Sequence, residues 1–486
     1  MPSERLINDV YANIDLISSN VPSNMNFIKR EVTILGSIPC FVLFISGIAD
    51  KGIVEEIVIK PLMQKGSKIN NQNIIDDLVK KCILASDLTV SDSIPEICYE
   101  LLNGKCVVLV ENIKSAVICN TASEKYRSIQ ESTTEKSVYG LRESFTENLN
   151  LNITMLQRKV KNPNLKVEKY MIGDKFKTEV ALTYIDGIID PLVLTNIKSR
   201  LAGLKAPAII TGGILEQFID NRPYNLFPIT KSTERPDKVV FDLLEGKAAI
   251  FISESSTALI APATFFEFFQ GFEDYSERTI LANFSRLMRF IAILTVMILE
   301  PIYLVLLIYN PELFPYKLMS LIISSRQNIP LPPLLEILAM GVAIEILREG
   351  GLRLPNPIGT TLAIVGGIVI GESATRAGLV SYVTLFIVAI TVICTFIIPS
   401  YQMALTIRFI RFPMLILGQM FGFYGLLVGF YFLLVHLTKM ESFGIAYFSP
   451  IVPSRFTDLL DSFIRAPLKN ILIEPKSLHP SRKSPK

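Results

Sequence analysis

Histidine is nearly absent from this 486-residue chain: His436 and His479 are the only two, and no HExxH occurs. A histidine-based zinc or acid–base centre therefore has almost nothing to be built from. Cysteine is sparse too. Cys40, Cys82, Cys98, Cys106, Cys119 and Cys394 form no CxxC pair and mostly lie in apolar strand-like or helical contexts, which reads as reduced thiols filling a core. No large excess of one charge exists. The net charge is +3 and no Lys/Arg-rich tract precedes the C-terminal tail, so nucleic acid is not an expected partner. Met1–Asn20 is polar and mixed in charge, without the basic and apolar regions of a secretory signal and without a lipid-bearing cysteine. Gly104-Lys105 and Gly246-Lys247 lack the upstream glycine and the following Ser/Thr of a phosphate-binding loop. No nucleophile stands beside a base. The expectation is a protein that is not an enzyme and holds no cofactor or metal.

What the chain does have is a break in polarity near residue 285. Beyond it Phe290–Tyr309, Leu354–Gly371, Val380–Pro399 and Phe412–Leu437 are long and overwhelmingly apolar. A hydrocarbon core about 30 Å thick needs roughly 20 helical residues, and backbone inside lipid must bond to itself, so these runs read as membrane-spanning helices. Arg278, Arg286 and Arg289 flank the first run, and the tail carries Arg455, Arg465, Lys469, Lys476, Arg482, Lys483 and Lys486. Positive charge at both ends places both on the cytoplasmic side, and an even count of four spans is the simplest reading. Leu331–Glu349 carries Glu336, Glu345, Arg348 and Glu349, and reads as an amphipathic or re-entrant helix.

The polar half is duplicated. Phe44–Asp50 matches Tyr184–Asp190 at an offset of 140, and Leu101–Lys105 matches Leu243–Lys247 at 142. Two signals in one order at nearly one spacing imply related subdomains, roughly 25–130 and 165–265, each running strand, Gly-Asp turn, helices, then Gly-Lys and a hairpin. Val32–Ala49 is uncharged and long enough to mimic a span, but its counterpart near 179–187 is soluble in character, so it reads as core strand. Thr121–Ser137 reads as a surface loop, with a helical segment over Leu141–Lys161. The fold class expected is α/β plus membrane all-α. Its domains are an α/β subdomain over 1–140, a second over 141–285, a polytopic helical membrane domain over 286–440 and a basic tail over 441–486.

Ionisable and small residues in the apolar half are the candidate sites. Glu300 sits mid-span beside Pro301. Gly366, Gly367 and Gly371 make a helix that allows close packing, and Glu372 and Arg376 follow it one turn apart. Intramembrane carboxylates usually face a bundle interior or a water-filled path, whereas a Glu372–Arg376 pair is also what a solvated helix end shows.

From about residue 30 to 453 the chain resembles the A subunits of the GerA family of spore germinant receptors. The resemblance rests on Glu245-Gly246-Lys247, Phe265–Gln270, Glu273–Arg278, Glu345–Pro355, Pro357-Ile358-Gly359, Ile398-Pro399-Ser400-Tyr401, Arg411-Phe412-Pro413 and Ser442-Phe443-Gly444. It implies a multi-pass protein of the spore inner membrane with its N-terminal domain and tail on the core side. It also implies a homo-oligomer complexed with a transporter-like B subunit and a lipoprotein C subunit. The activity implied is a germinant-gated cation channel, in which Gly366, Gly367, Gly371 and Glu372 would line the pore or gate it. A non-conducting scaffold, or a paralogous channel that amplifies ion release without its own sensor, are the alternatives. Where the family would carry Arg-Gly-Pro and Gly-Phe, this chain reads Tyr139-Gly140-Leu141 and Ser144-Phe145, and Glu300 replaces a usual apolar residue or proline.

Overall fold

The computed structural model describes residues 5–21, 26–34, 38–63, 75, 78–85, 88–121, 143–220, 222, 224–271, 273–354, 356–454, 462–467 and 478. Two compact units emerge. One comprises Met1–Pro223, Thr230–Pro262 and Ile473–Lys486, the other Tyr224–Ile229 and Ala263–Leu472. The change of unit falls at Ala263 rather than near 285, because the Ala263 N–H donates to Ser442 Oγ and the Phe265 N–H to the Tyr447 carbonyl. These bonds tie the aromatic stretch to the far end of the helical unit.

In the first unit α1 (Val10–Asn20), β1 (Phe27–Ile34) and β2 (Ile38–Ile45) lead into a helical stretch from Lys51 to Met63. Then come β3 (Leu88–Ser91), α2 (Ile94–Leu102), β4 (Cys106–Val110) and β5 (Ala116–Cys119). The second repeat has α3 (Leu149–Val160), β6 (Leu165–Ile172), β7 (Thr178–Ile185), α4 (Pro191–Ala202) and α5 (Gly212–Ile219). It ends with β8 (Lys231–Thr233), α6 (Pro236–Leu244), β9 (Ala248–Ile252) and β10 (Ala258–Ala261). The sheets have identical order, β1-β2-β4-β5-β3 and β6-β7-β9-β10-β8, and every pairing is antiparallel. Within Val32–Ala49, residues 32–34 and Ile38–Ile45 are strand, shared between β1 and β2 rather than forming one strand.

The duplication begins earlier than the sequence signals. Asn13 on α1 bonds both backbone groups of Ile7, and Asn152 on α3 does the same to Thr146. Each helix then buries the same four places in its own repeat, Val10, Asn13, Ile14 and Ile17 against Leu149, Asn152, Ile153 and Leu156. Residues 141 and 142 lie outside the described set, and the helix expected over Leu141–Lys161 starts only at Leu149, behind the Asn148 cap. Ser144 and Phe145 are buried, the Phe145 ring edge-on to Phe251 at 5.0 Å. Tyr139–Leu141, residues 122–137 and the basic tail residues other than Arg465 lie outside the described residues. The cysteines are free, and burial pushes the Cys40 and Cys119 thiols up to about 12 and Cys98 to about 11.

The Gly-Lys pairs prove structural. Gly104 and Gly246 adopt φ of +85° and +93° against the backbone of Ile48 and Ile188, a turn only glycine makes cheaply. The following lysine reaches back five residues: Lys105 to Glu100 at 3.0 Å, mostly buried, and Lys247 to Asp242 at 2.7 Å, fully buried. Burial raises the Asp242 carboxyl, but the ammonium groups of Lys231 and Lys247 outweigh it and hold the pKa below the ordinary value. That stability is present at neutral pH and is lost only as pH falls through the lowered pKa. Lys247→Met leaves the buried Asp242 carboxylate with only the longer Lys231 contact at 3.9 Å and should cost about 3 kcal/mol. Lys105→Met at the twin, whose side chains are 22% and 20% exposed, should cost less than Lys247→Met. Urea midpoints read from amide exchange in β9 and β4 check the contrast.

In the helical unit α7 (Thr279–Tyr309) and α8 (Tyr316–Arg326) precede α9 (Pro333–Leu352), α10 (Asn356–Arg376), α11 (Tyr382–Thr395) and α12 (Tyr401–Lys439). Among the described residues, α7 and α12 are the helices long and apolar enough to cross a membrane by length and composition. The run expected as one span over Phe412–Leu437 is interrupted. Gly422 takes φ +59° and ψ −140°, and beyond it the chain doubles back. A Cβ on Gly429 would meet Met414 Sδ at 2.5 Å, and one on Gly418 would meet Leu426 at 3.3 Å. In a straight helix residues 414 and 429 would stand roughly 22 Å apart. The segment is a helical hairpin with glycines in its seam.

Contacts fix the directions of the rest. Glu300 meets Arg411 and Tyr309 reaches Gln419, so α7 runs parallel to 401–421. Glu345 meets Arg408 while Arg411 meets Gly341, so α9 runs opposite to it. Gly366 abuts Leu347 and Gly359 abuts Gly351, so α10 reverses again, and α11, beside α9 through Glu336–Thr384 and Arg348–Thr395, reverses once more. Six helices alternate. The stretch expected to be an amphipathic or re-entrant helix, Leu331–Glu349, lies almost entirely in α9, which runs unbroken for 20 residues.

Candidate functional site

Charged side chains are gathered between the apolar helices of this unit. Glu300, on α7, is 1% exposed and its Oε1 accepts from Arg411 at 3.0 Å, while the Arg411 guanidinium also lies 4.9 Å from the Phe412 ring. Glu300 Oε2 and Arg411 Nε have no hydrogen-bond partner among the described residues. One turn nearer the start of α12, Arg408 donates to Glu345 at 3.0 Å. Arg348 adds a longer contact to the same carboxylate at 3.7 Å, and hydrogen-bonds Thr395. Near the opposite end Glu336 is fully buried. Its Oε1 lies 2.6 Å from Arg326, and its Oε2 accepts from the Ser381 N–H and the Thr384 hydroxyl, which in turn meets Tyr303. Three glutamates and four arginines thus form a ladder joining five of the helices.

At the base of α7 Asp274 accepts from Arg286 at 3.0 Å and Arg289 at 2.7 Å. Arg286 and Arg289, read as membrane-flanking charges, are therefore buried. Arg465, expected in a solvated basic tail, is 2% exposed: its guanidinium donates to the carbonyls of Glu277 and Tyr275, and its backbone exchanges two bonds with Asn283. Phe463 stacks on Phe290 at 5.1 Å beside it. The tail segment is clasped to the start of the first long helix.

The pore candidates lie apart from the ladder. Gly366 packs so closely on Leu347 that a Cβ would come within 2.9 Å, and Gly371 meets Leu385 at ordinary distance. Gly367 faces open space, and Val365, Ile368 and Val369 beside it are exposed. Glu372 is exposed and paired with Arg376 at 2.5 Å along the helix. Sequence reasoning singled out Glu300, Glu336 and Glu345 but not Arg326, Arg408 and Arg411 as their partners. An arginine inside an apolar run is itself the signal, but two of these pairs span 63 and 111 positions, beyond any local pattern.

Residues 15–477 match the family described as Bacillus/Clostridium GerA spore germination protein. The chain belongs to the GerA family. Spore germination protein KA of Bacillus subtilis (strain 168) is 38% identical over 94% of this chain and 84% of its own length. Spore germination protein GerLA of Bacillus cereus is 34% identical over 92% and 91%. The chain is also similar to the crystal structure of the N-terminal domain of the A subunit of the Bacillus megaterium spore germinant receptor GerK3. That match is 27% identical, covers 55% of this chain and 99% of that one, and has a TM-score of 0.40. The resemblance to germinant-receptor A subunits is borne out by this GerA membership, and the motif residues Glu345, Arg348, Arg411 and Ser442 turn out to be ones that hold the helical unit together.

Proposed function

We propose that this GerA-family A subunit works as a multi-pass protein of the spore inner membrane in which several copies enclose a cation pathway opened by germinant. Alternating helical segments with the buried ladder between them support an even number of transits, which leaves both ends of the helical unit on one side. That side would be the spore core. The observation that carries the channel reading is the outward face of α10: Gly367 has nothing within 4 Å and Val365, Ile368 and Val369 beside it are exposed, so this helix has an uncovered apolar surface with one open glycine to offer to other copies. Glu372 from each copy would then ring one mouth and concentrate cations. Germinant binding would be relayed by the transporter-like B subunit, with the lipoprotein C subunit completing the complex.

Native mass spectrometry in mild detergent should give a closed ring of at least four copies. In proteoliposomes Glu372→Gln should lower cation flux several-fold while the ring mass stays unchanged. A scaffold is the reading favoured by one specific observation, the exposed i,i+4 pairing of Glu372 with Arg376, which is also what a solvated helix end shows. A monomer, or flux indifferent to Glu372 and Gly367 variants, would establish the scaffold instead.

A further inference from the structure

The two repeats of the first unit meet through a face that one of them leaves unused. On α3, besides the core-facing positions, Thr154, Met155 and Gln157 are buried. Thr154 covers the Gly-turn of the first repeat, its Oγ1 3.1 Å from where a Cβ on Gly47 would sit, and Lys161 at the end of α3 lies over the Tyr99 ring at 5.3 Å. The first repeat therefore offers a socket and the second a plug.

Each repeat carries both halves, because the repeats are copies. On α1 the matching plug positions are Asp15, Leu16 and Ser18. Asp15 is exposed, and the other two are only half-buried. The matching socket in the second repeat is the turn at Gly187, where an added Cβ meets nothing within 4 Å. Ile48 is fully buried in the filled socket, and its counterpart Ile188 is half-open. Leu102 is buried, and its counterpart Leu244 is 48% exposed. Among the described residues one plug and one socket remain uncovered, on different elements, with the docking geometry already exemplified within the chain.

We propose that α1 of one copy seats on the Gly187 turn of a second copy of this chain, head to tail, repeating the contact that α3 makes on the Gly47 turn. Such a contact is heterologous, so it propagates until a ring closes. The inference rests on the oligomeric part of the proposed function and is independent of conduction.

Full-length protein carrying Asp15→Cys together with Asp186→Cys, treated with a short bis-maleimide, should give a covalent ladder up to the ring size. Either single variant should give none, since the native thiols of this unit among the described residues are buried. Asp15→Cys with Lys175→Cys, placed at the other end of β7, should also give none. Adding Leu244→Glu, an exposed site whose change leaves the fold intact, should abolish the ladder. No ladder from a preparation whose native mass is oligomeric would overturn the head-to-tail contact alone. An equal ladder from the Lys175 pair, or one indifferent to Leu244→Glu, would overturn it too. A monomeric mass would overturn the oligomeric reading and this contact together.

Discussion

Arg411→Met should destabilise the helical unit by about 3–5 kcal/mol, because the Glu300 carboxyl is left buried between helices without its partner. The carboxylate is 1% exposed, and the guanidinium that neutralises it also fills space against Gly341 and Phe412. Loss of the arginine therefore removes charge compensation and packing at once. The double variant Glu300→Leu/Arg411→Met should recover most of that loss, since a buried ion pair gains little over well-packed apolar side chains. Thermal unfolding of the purified full-length protein in detergent measures both. If the double variant is no more stable than the single one, the pair contributes more than mutual neutralisation, and the orphaned Glu300 Oε2 and Arg411 Nε would be the atoms to suspect.

Gly425→Ala should open the hairpin of α12. A Cβ there would stand 2.0 Å from the Leu417 carbonyl oxygen, which is backbone and cannot swing aside. Gly429→Ala is the control: its nearest atom is the flexible Met414 Sδ at 2.5 Å, so a rotamer change relieves it. Gly422→Ala should cost about 1–3 kcal/mol through its φ of +59°. Spin labels at Phe409 and Leu434, both exposed, read the outcome. They should lie about one helix-packing distance apart in the parent protein, on the order of 10 Å before linker length. A straightened helix would separate them by roughly 37 Å. Gly425→Ala should broaden the distribution toward long distances, and Gly429→Ala should not. Unchanged short distances in Gly425→Ala would mean the seam has slack.

The duplication and the apolar half were legible because both are written in local pattern: Gly-Asp and Gly-Lys turns recur at a near-constant offset, and uninterrupted apolar runs announce helices. Two kinds of information were not. Gly422 looks like any other glycine in an apolar run, and only its backbone angles reveal a reversal that turns one expected span into two helical arms. The charges in 331–349 argued against burial when read singly, since each costs several kcal/mol in hydrocarbon. Their partners Arg326 and Arg408 lie on other helices, so the compensation became visible only in three dimensions. The same holds for Arg465, whose basic neighbourhood suggested solvent while its bonds run to the carbonyls of Tyr275 and Glu277. The pore candidates Gly366 and Gly367 were found by composition, but sequence could not say that the first is used up within the chain and the second is open.

The turn at Gly422 also bears on how such a chain enters a bilayer. In the topology proposed above, a single last span would leave everything after it across the bilayer, including the segment that carries Arg465. A hairpin would instead enter tip first, with Phe421, Gly422 and Phe423 leading, and no charge of the tail would have to cross lipid. Arg465 can then find Asn283 and the Glu277 carbonyl as soon as it leaves the ribosome. The last-made segment would thereby lock the first-made helix in place.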